Sequence, residues 1–137
     1  MLRMKINLLL FCFFASLIIF LSNCQSNPYQ QSKGLYNYYC ANCHMEDGTG
    51  LKGIIPPLKG ADYVKTDPLR TACIIRYGIQ GAVIVNDTTY NQPMAAIPEL
   101  TEFEITNIIN YINQAWGNDF KYVKFEEVKE RLERCNN

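Results

Sequence analysis

The chain has 137 residues, 48% of them hydrophobic, and its 13 Lys+Arg are balanced by 13 Asp+Glu. That balance offers no basic surface for nucleic acid, and the length suits one small domain rather than several. Six cysteines beside a single histidine are the sharpest compositional feature, because they restrict the metal and redox chemistry available to the chain.

Taken in chain order, residues 1–23 place Arg3 and Lys5 ahead of an apolar run at 8–21, the n-region and h-region of a signal peptide. The run is shorter than the about 20 apolar residues of a membrane span, and the basic residues hold the N-terminus inside, so the expectation is export. An uncleaved signal anchor is the alternative. Leu21-Ser22-Asn23-Cys24 resembles the lipobox of bacterial lipoproteins, although Asn23 stands where a small residue is usual. That resemblance implies lipidation of Cys24, a membrane anchor, and a periplasmic or cell-surface location. Without residues 1–23 the charge is slightly negative, 11 Lys+Arg against 13 Asp+Glu. Residues 24–32 are polar and read as a flexible tether.

Residues 33–40 read as a first helix that runs into Cys40-Ala41-Asn42-Cys43-His44. C-x-x-C-H is the attachment sequence of c-type haem: two thiols add to the haem vinyl groups, and the adjacent imidazole becomes an axial iron ligand. Shuffling this composition produces the motif in roughly two chains per thousand, so chance is a poor explanation. Zinc would want four N/S ligands, and no second histidine exists. A redox dithiol would open a helix after a buried strand, and nothing before Cys40 reads as one. One motif means one covalently bound haem c.

Asp47-Gly48-Thr49-Gly50 then breaks the chain into turns. The run Tyr39-Cys40-Ala41-Asn42-Cys43-His44, the following G-x-G, the segment Pro56-Pro57-Leu58-Lys59-Gly60 and a late Met94 before a C-terminal helix together resemble class I monohaem cytochromes c. The resemblance covers residues 33–116. It implies an all-α fold around one haem, with the cytochrome domain at 33–117, and a one-electron carrier serving redox partner proteins rather than an enzyme. It also implies that the carbonyl of Pro56, or of neighbouring Pro57, accepts a hydrogen bond from the ligating imidazole. Gly34 is expected where the first and last helices cross.

Asp67-Pro68-Leu69 reads as the start of a second helix, running through Ala72, Ile74 and Ile75 to Tyr77 and stopping at Gly78. Residues 82–85 and 88–90 flank Asn86-Asp87 as a small hairpin before the methionine loop. For the sixth iron position, Met1 and Met4 lie in the signal, and Met45 is too near His44 in sequence to reach the opposite haem face. Position in the family pattern therefore gives Met94, in Pro93-Met94-Ala95 where members often have Met-Pro. The alternative is a haem enzyme or gas sensor with an open or labile sixth site, its pocket lined by Arg70, Arg76 or Tyr63.

Thr101 and Glu104 form a capping box for a helix over 105–116 that stops at Gly117. Residues 118–137 form an extension, with an amphipathic helix at 124–134 packing Phe125, Val128 and Leu132 inward. Once signal, lipid and haem have taken four cysteines, Cys73 and Cys135 remain, and an even remainder in an oxidising compartment suggests a disulfide.

Overall fold

Hydrophobic spacing and end signals explain the main helices of the computed structural model, which describes residues 28–135 together with residues 6, 7 and 13. The signal segment 1–23 and the lipidation candidate Cys24 otherwise lie outside the described residues. Helix α1 (Pro28–Tyr39) buries Ser32 and Tyr36, at four-residue spacing, and leads to buried Cys40. It begins within the segment read as a tether, so residues 28–32 are its first turn rather than flexible chain. One further turn, α2 (Ala41–His44), carries the rest of the C-x-x-C-H motif.

The next elements are short: α3 (Asp62–Thr66), α4 (Arg70–Tyr77), and an antiparallel hairpin of β1 (Val83–Val85) and β2 (Thr88–Tyr90). Sequence patterning missed α3, whose five residues are too few to show a period. Helix α4 starts at Arg70 because residues 67–69 form a turn, while Asp67 Oδ1 still accepts the Arg70 N–H. Asn86 and Asp87 both take left-handed φ, 50° and 58°, as a two-residue primed turn requires. Val83 pairs with Tyr90, and Val85 with Thr88. Asp62 and Asn86 exchange side-chain-to-backbone hydrogen bonds, which pin the hairpin to α3.

Helix α5 (Glu102–Gln114) has its capping box formed in both directions, Glu104 N–H to Thr101 Oγ1 and Thr101 N–H to Glu104 Oε2. Ile105, Ile108, Ile109 and Ile112 are buried at three- and four-residue spacing and form the centre of the core. The helix ends before Trp116, two residues earlier than its apolar pattern suggests, because Trp116 turns to φ 56° and places its ring against Gly48. Helices α1 and α5 cross through the rings of Tyr29, Tyr36, Tyr111 and Trp116, with centroids 5.1–5.5 Å apart. Gly34 does not mediate that crossing: it is exposed, and a Cβ there would meet nothing within 4 Å.

Beyond α5 the chain is held by amide side chains that the helix buries. Asn110 exchanges two hydrogen bonds with the backbone of Val123, and Asn113 donates to the carbonyl of Lys121. Helix α6 (Phe125–Arg134) then packs Val128 and Leu132 inward against α4 and α5. Phe125 stays 37% exposed, with its ring 6.4 Å from that of Phe103, so it belongs to the rim of this contact rather than its interior. Cys73 of α4 and Cys135 are joined by a disulfide, their Cα atoms 5.6 Å apart.

Candidate functional site

Because α2 is a single turn, the Cys40 carbonyl accepts the N–H groups of both Cys43 and His44, at 3.2 and 2.9 Å, and three chemically active side chains are presented together. Cys40 is buried and Cys43 exposed, and both are free thiols. Burial, reinforced by neighbouring Cys43, pushes the Cys40 thiol up to about 12, so it remains protonated. The three residues border a cavity of about 360 Å³ with largely apolar walls that include Leu58, Val64, Ile75, Val85, Ile97 and Ile112. That volume lies within the roughly 300–1,000 Å³ usual for cofactor pockets.

His44 sits at one border of this cavity with Nδ1 3.0 Å from the carbonyl oxygen of Pro56. A carbonyl only accepts, so Nδ1 carries the proton and Nε2 keeps its lone pair. Burial lowers the pKa of His44 and outweighs the opposing effect of the Pro56 carbonyl, which favours the neutral ring that a metal ligand needs. Pro57 also lines the cavity, but it is Pro56 that meets the imidazole.

Glycines make this approach possible. Gly50, at φ 65°, lies so close to the 55–56 segment that a Cβ there would stand 2.5 Å from the Ile55 oxygen and 2.6 Å from the Pro56 oxygen. Gly48 accepts from Leu58 and Lys59, and buried Asn118 clamps the same segment by accepting from Gly60 and donating to the carbonyls of Leu58 and Ile112. Tyr36 donates its hydroxyl to the Met45 carbonyl at 2.7 Å, closing the end of α2. Its burial raises the phenol pKa and keeps it a donor.

Met94 borders the same cavity, half-buried on the loop between the hairpin and α5. Its backbone exchanges two hydrogen bonds of 3.0 Å with Ile79. Ile97 donates to the Ile75 carbonyl, and the Arg76 guanidinium donates to the Pro98 carbonyl at 2.7 Å. Gly78, at φ 74°, lets the loop pass so closely that a Cβ would be 2.6 Å from the Met94 oxygen. Sequence reading took Gly78 only as a helix stop and did not single out Asn118, whose burial shows only in the folded chain.

Of the residues considered for an open pocket, Tyr63 lines the cavity, with Arg70 stacked 3.8 Å above its ring, while Arg76 is engaged at Pro98. Among the described residues, no group of three or more His, Cys, Asp or Glu is placed to hold a metal ion. Two free thiols, a neutral imidazole with Nδ1 engaged, and a thioether around one apolar cavity fit a covalently attached haem.

A predominantly helical fold with a small hairpin closes around these side chains. The cytochrome c family profile matches residues 29–116, and the chain belongs to that family, whose members bind covalently attached haem c. Among its relatives is the cytochrome c-552 of Thermus thermophilus, 36% identical over 99 residues that cover 66% of this chain and 76% of that protein. Another is the cytochrome c subunit of the quinone-dependent alcohol dehydrogenase of Gluconobacter oxydans, 33% identical over 90 residues, 62% of this chain but 18% of the subunit.

Proposed function

We propose that the protein is an exported, lipid-anchored one-electron carrier that holds one haem c through Cys40 and Cys43, with His44 and Met94 as axial ligands. The observation that carries this reading is the pairing of His44, its Nδ1 fixed on Pro56 at 3.0 Å, with Met94 at one apolar cavity. When bound, the haem supplies a reversible one-electron couple. The chain contributes the rest. The Pro56 carbonyl orients the imidazole and raises its basicity, the Met94 sulfur would fill the position that substrate binding needs, and the apolar walls would surround the group with a low-polarity lining.

Export and anchoring rest on the pattern of residues 1–24, which ends at the lipidation candidate Cys24. Among the described residues, no helix is long and apolar enough to cross a membrane. Stable attachment would need more than one acyl chain, and mass analysis of the wild-type N-terminus against Cys24→Ser tests it. The partners are redox proteins; the match to a dehydrogenase subunit supports service to a larger enzyme.

Carbon monoxide tests the carrier reading. Ferrous holoprotein with both axial positions filled will resist it, whereas rapid stoichiometric binding would establish the open-site enzyme or sensor instead.

A further inference from the structure

Helix α4 has two partners. Its residues Thr71, Ile74 and Ile75 line the cavity, while Cys73 is bonded to Cys135 at the end of α6. With eight residues, α4 is shorter than the about 12–15 that make an isolated helix even marginal in water, so its position depends on what it packs against. It is also the mount of the methionine loop: Ile75, Arg76, Gly78 and Ile79 make the contacts that hold residues 94–98.

We propose that the Cys73–Cys135 bond positions the sixth ligand: by fixing α4 to α6 it holds the Met94 loop on the cavity, and breaking it makes Met94 easier to displace. Cys73 and Cys135 are therefore positioning residues acting through α4, and the inference rests on the assignment of Met94 as ligand. The brace has a second point of attachment, because Arg131 of α6 pairs with Asp67 ahead of α4 at 3.3 Å. Helix α6 is itself anchored through buried Val128 and Leu132. The extension thus backs α4, to which the loop of half-buried Met94 is fastened. At His44 the carbonyl partner and the Gly50 contacts lie within residues 44–60, and the segment is held from outside by Asn118 and Trp116 rather than by α6.

The test is equilibrium binding of imidazole to the ferric holoprotein, which competes with Met94 for its position. Wild type is compared with Cys73→Ser/Cys135→Ser and with Ile108→Val, a core change in α5 that lowers global stability and leaves the disulfide intact. Denaturant unfolding of each places the comparison at equal stability. The double variant is expected to keep the wild-type resting spectrum and to bind imidazole at least about fivefold more tightly than its loss of global stability explains. Should it not yield holoprotein, wild-type holoprotein treated with a dithiol gives the same comparison. The reagent closes to its own disulfide as Cys73 and Cys135 take up two electrons and two protons, alkylation then blocks their reoxidation, and ferricyanide takes one electron from any reduced iron to restore the ferric form. Unchanged imidazole affinity, or the same rise in Ile108→Val at equal stability, overturns the proposal. Lack of a methionine-to-iron band in untreated wild type would instead fault the ligand assignment beneath it.

Discussion

The segment carrying His44 and the loop carrying Met94 border one cavity but are held by different kinds of contact. His44 is held mainly by its neighbours in sequence: α2 presents it, the Pro56 carbonyl holds its Nδ1, and Gly50 lets residues 55–56 approach, while Asn118 clamps the adjoining 58–60 segment from beyond α5. Met94 has no such local frame. Its loop is fastened through backbone hydrogen bonds and Arg76 to α4, which in turn leans on the disulfide and α6. His44 is therefore held mostly by contacts near it in sequence, and Met94 by tertiary packing through α4. Their failures should differ accordingly, with attachment and folding lost together on the histidine side and ligation lost alone on the methionine side.

The largest expected effect breaks the histidine side. Gly50→Ala puts a methyl 2.5 Å from a backbone oxygen at φ 65°, so backbone must move, and we expect a loss of about 4 kcal/mol in denaturant unfolding with poor recovery of holoprotein. Gly78→Ala is the matching change on the methionine side, with its methyl 2.6 Å from the Met94 oxygen. Here the expected loss is about 2 kcal/mol, because a half-buried loop can shift outward. Covalent haem is retained, while the methionine-to-iron band disappears and the reduction potential falls. If both variants lost haem attachment equally, the contrast between the two sides would be broken.

A smaller effect sharpens the comparison at the exit from the methionine loop. The Glu104 carboxyl is held below its ordinary value of 4.5 by hydrogen bonds from the backbone and hydroxyl of Thr101. A folded value below the unfolded one means the cap's stabilisation is complete above the ordinary carboxylate range and is lost as pH falls through the lowered folded value. After solvent screening it is worth at most about 0.5 kcal/mol. Thermal unfolding of Glu104→Gln beside wild type should therefore show a small deficit at neutral pH that closes as the solution is acidified.

The same division explains what could be read from sequence. Cys40, Cys43 and His44 announce themselves by spacing, and the capping box at Thr101 and the turn at Asn86-Asp87 are equally local signals. With four cysteines assigned to signal, lipid and haem, the even remainder in an oxidising compartment pairs Cys73 with Cys135, and the structure joins them. Contacts that depend on how helices cross were hidden. Gly34 was assigned to a crossing that aromatic rings fill, and the departure of Trp116 from α5 follows from its docking on Gly48, about which helical periodicity is silent. Asn110, Asn113 and Asn118 look like surface residues by type, yet they are buried, the first two to satisfy the backbone of the loop after α5 and Asn118 to satisfy that of residues 58–60 and 112, a demand visible only once those segments are placed.

The most direct test of the account is the visible spectrum of the ferric holoprotein, wild type beside Met94→Ala. Ligation by His44 and Met94 predicts low-spin wild type with a weak red methionine-to-iron band. The band vanishes in the variant, whose reduction potential falls because a thioether stabilises ferrous iron relative to harder ligands. A band that survives in Met94→Ala, or a high-spin wild type, would contradict the closed two-ligand site on which electron carriage rests.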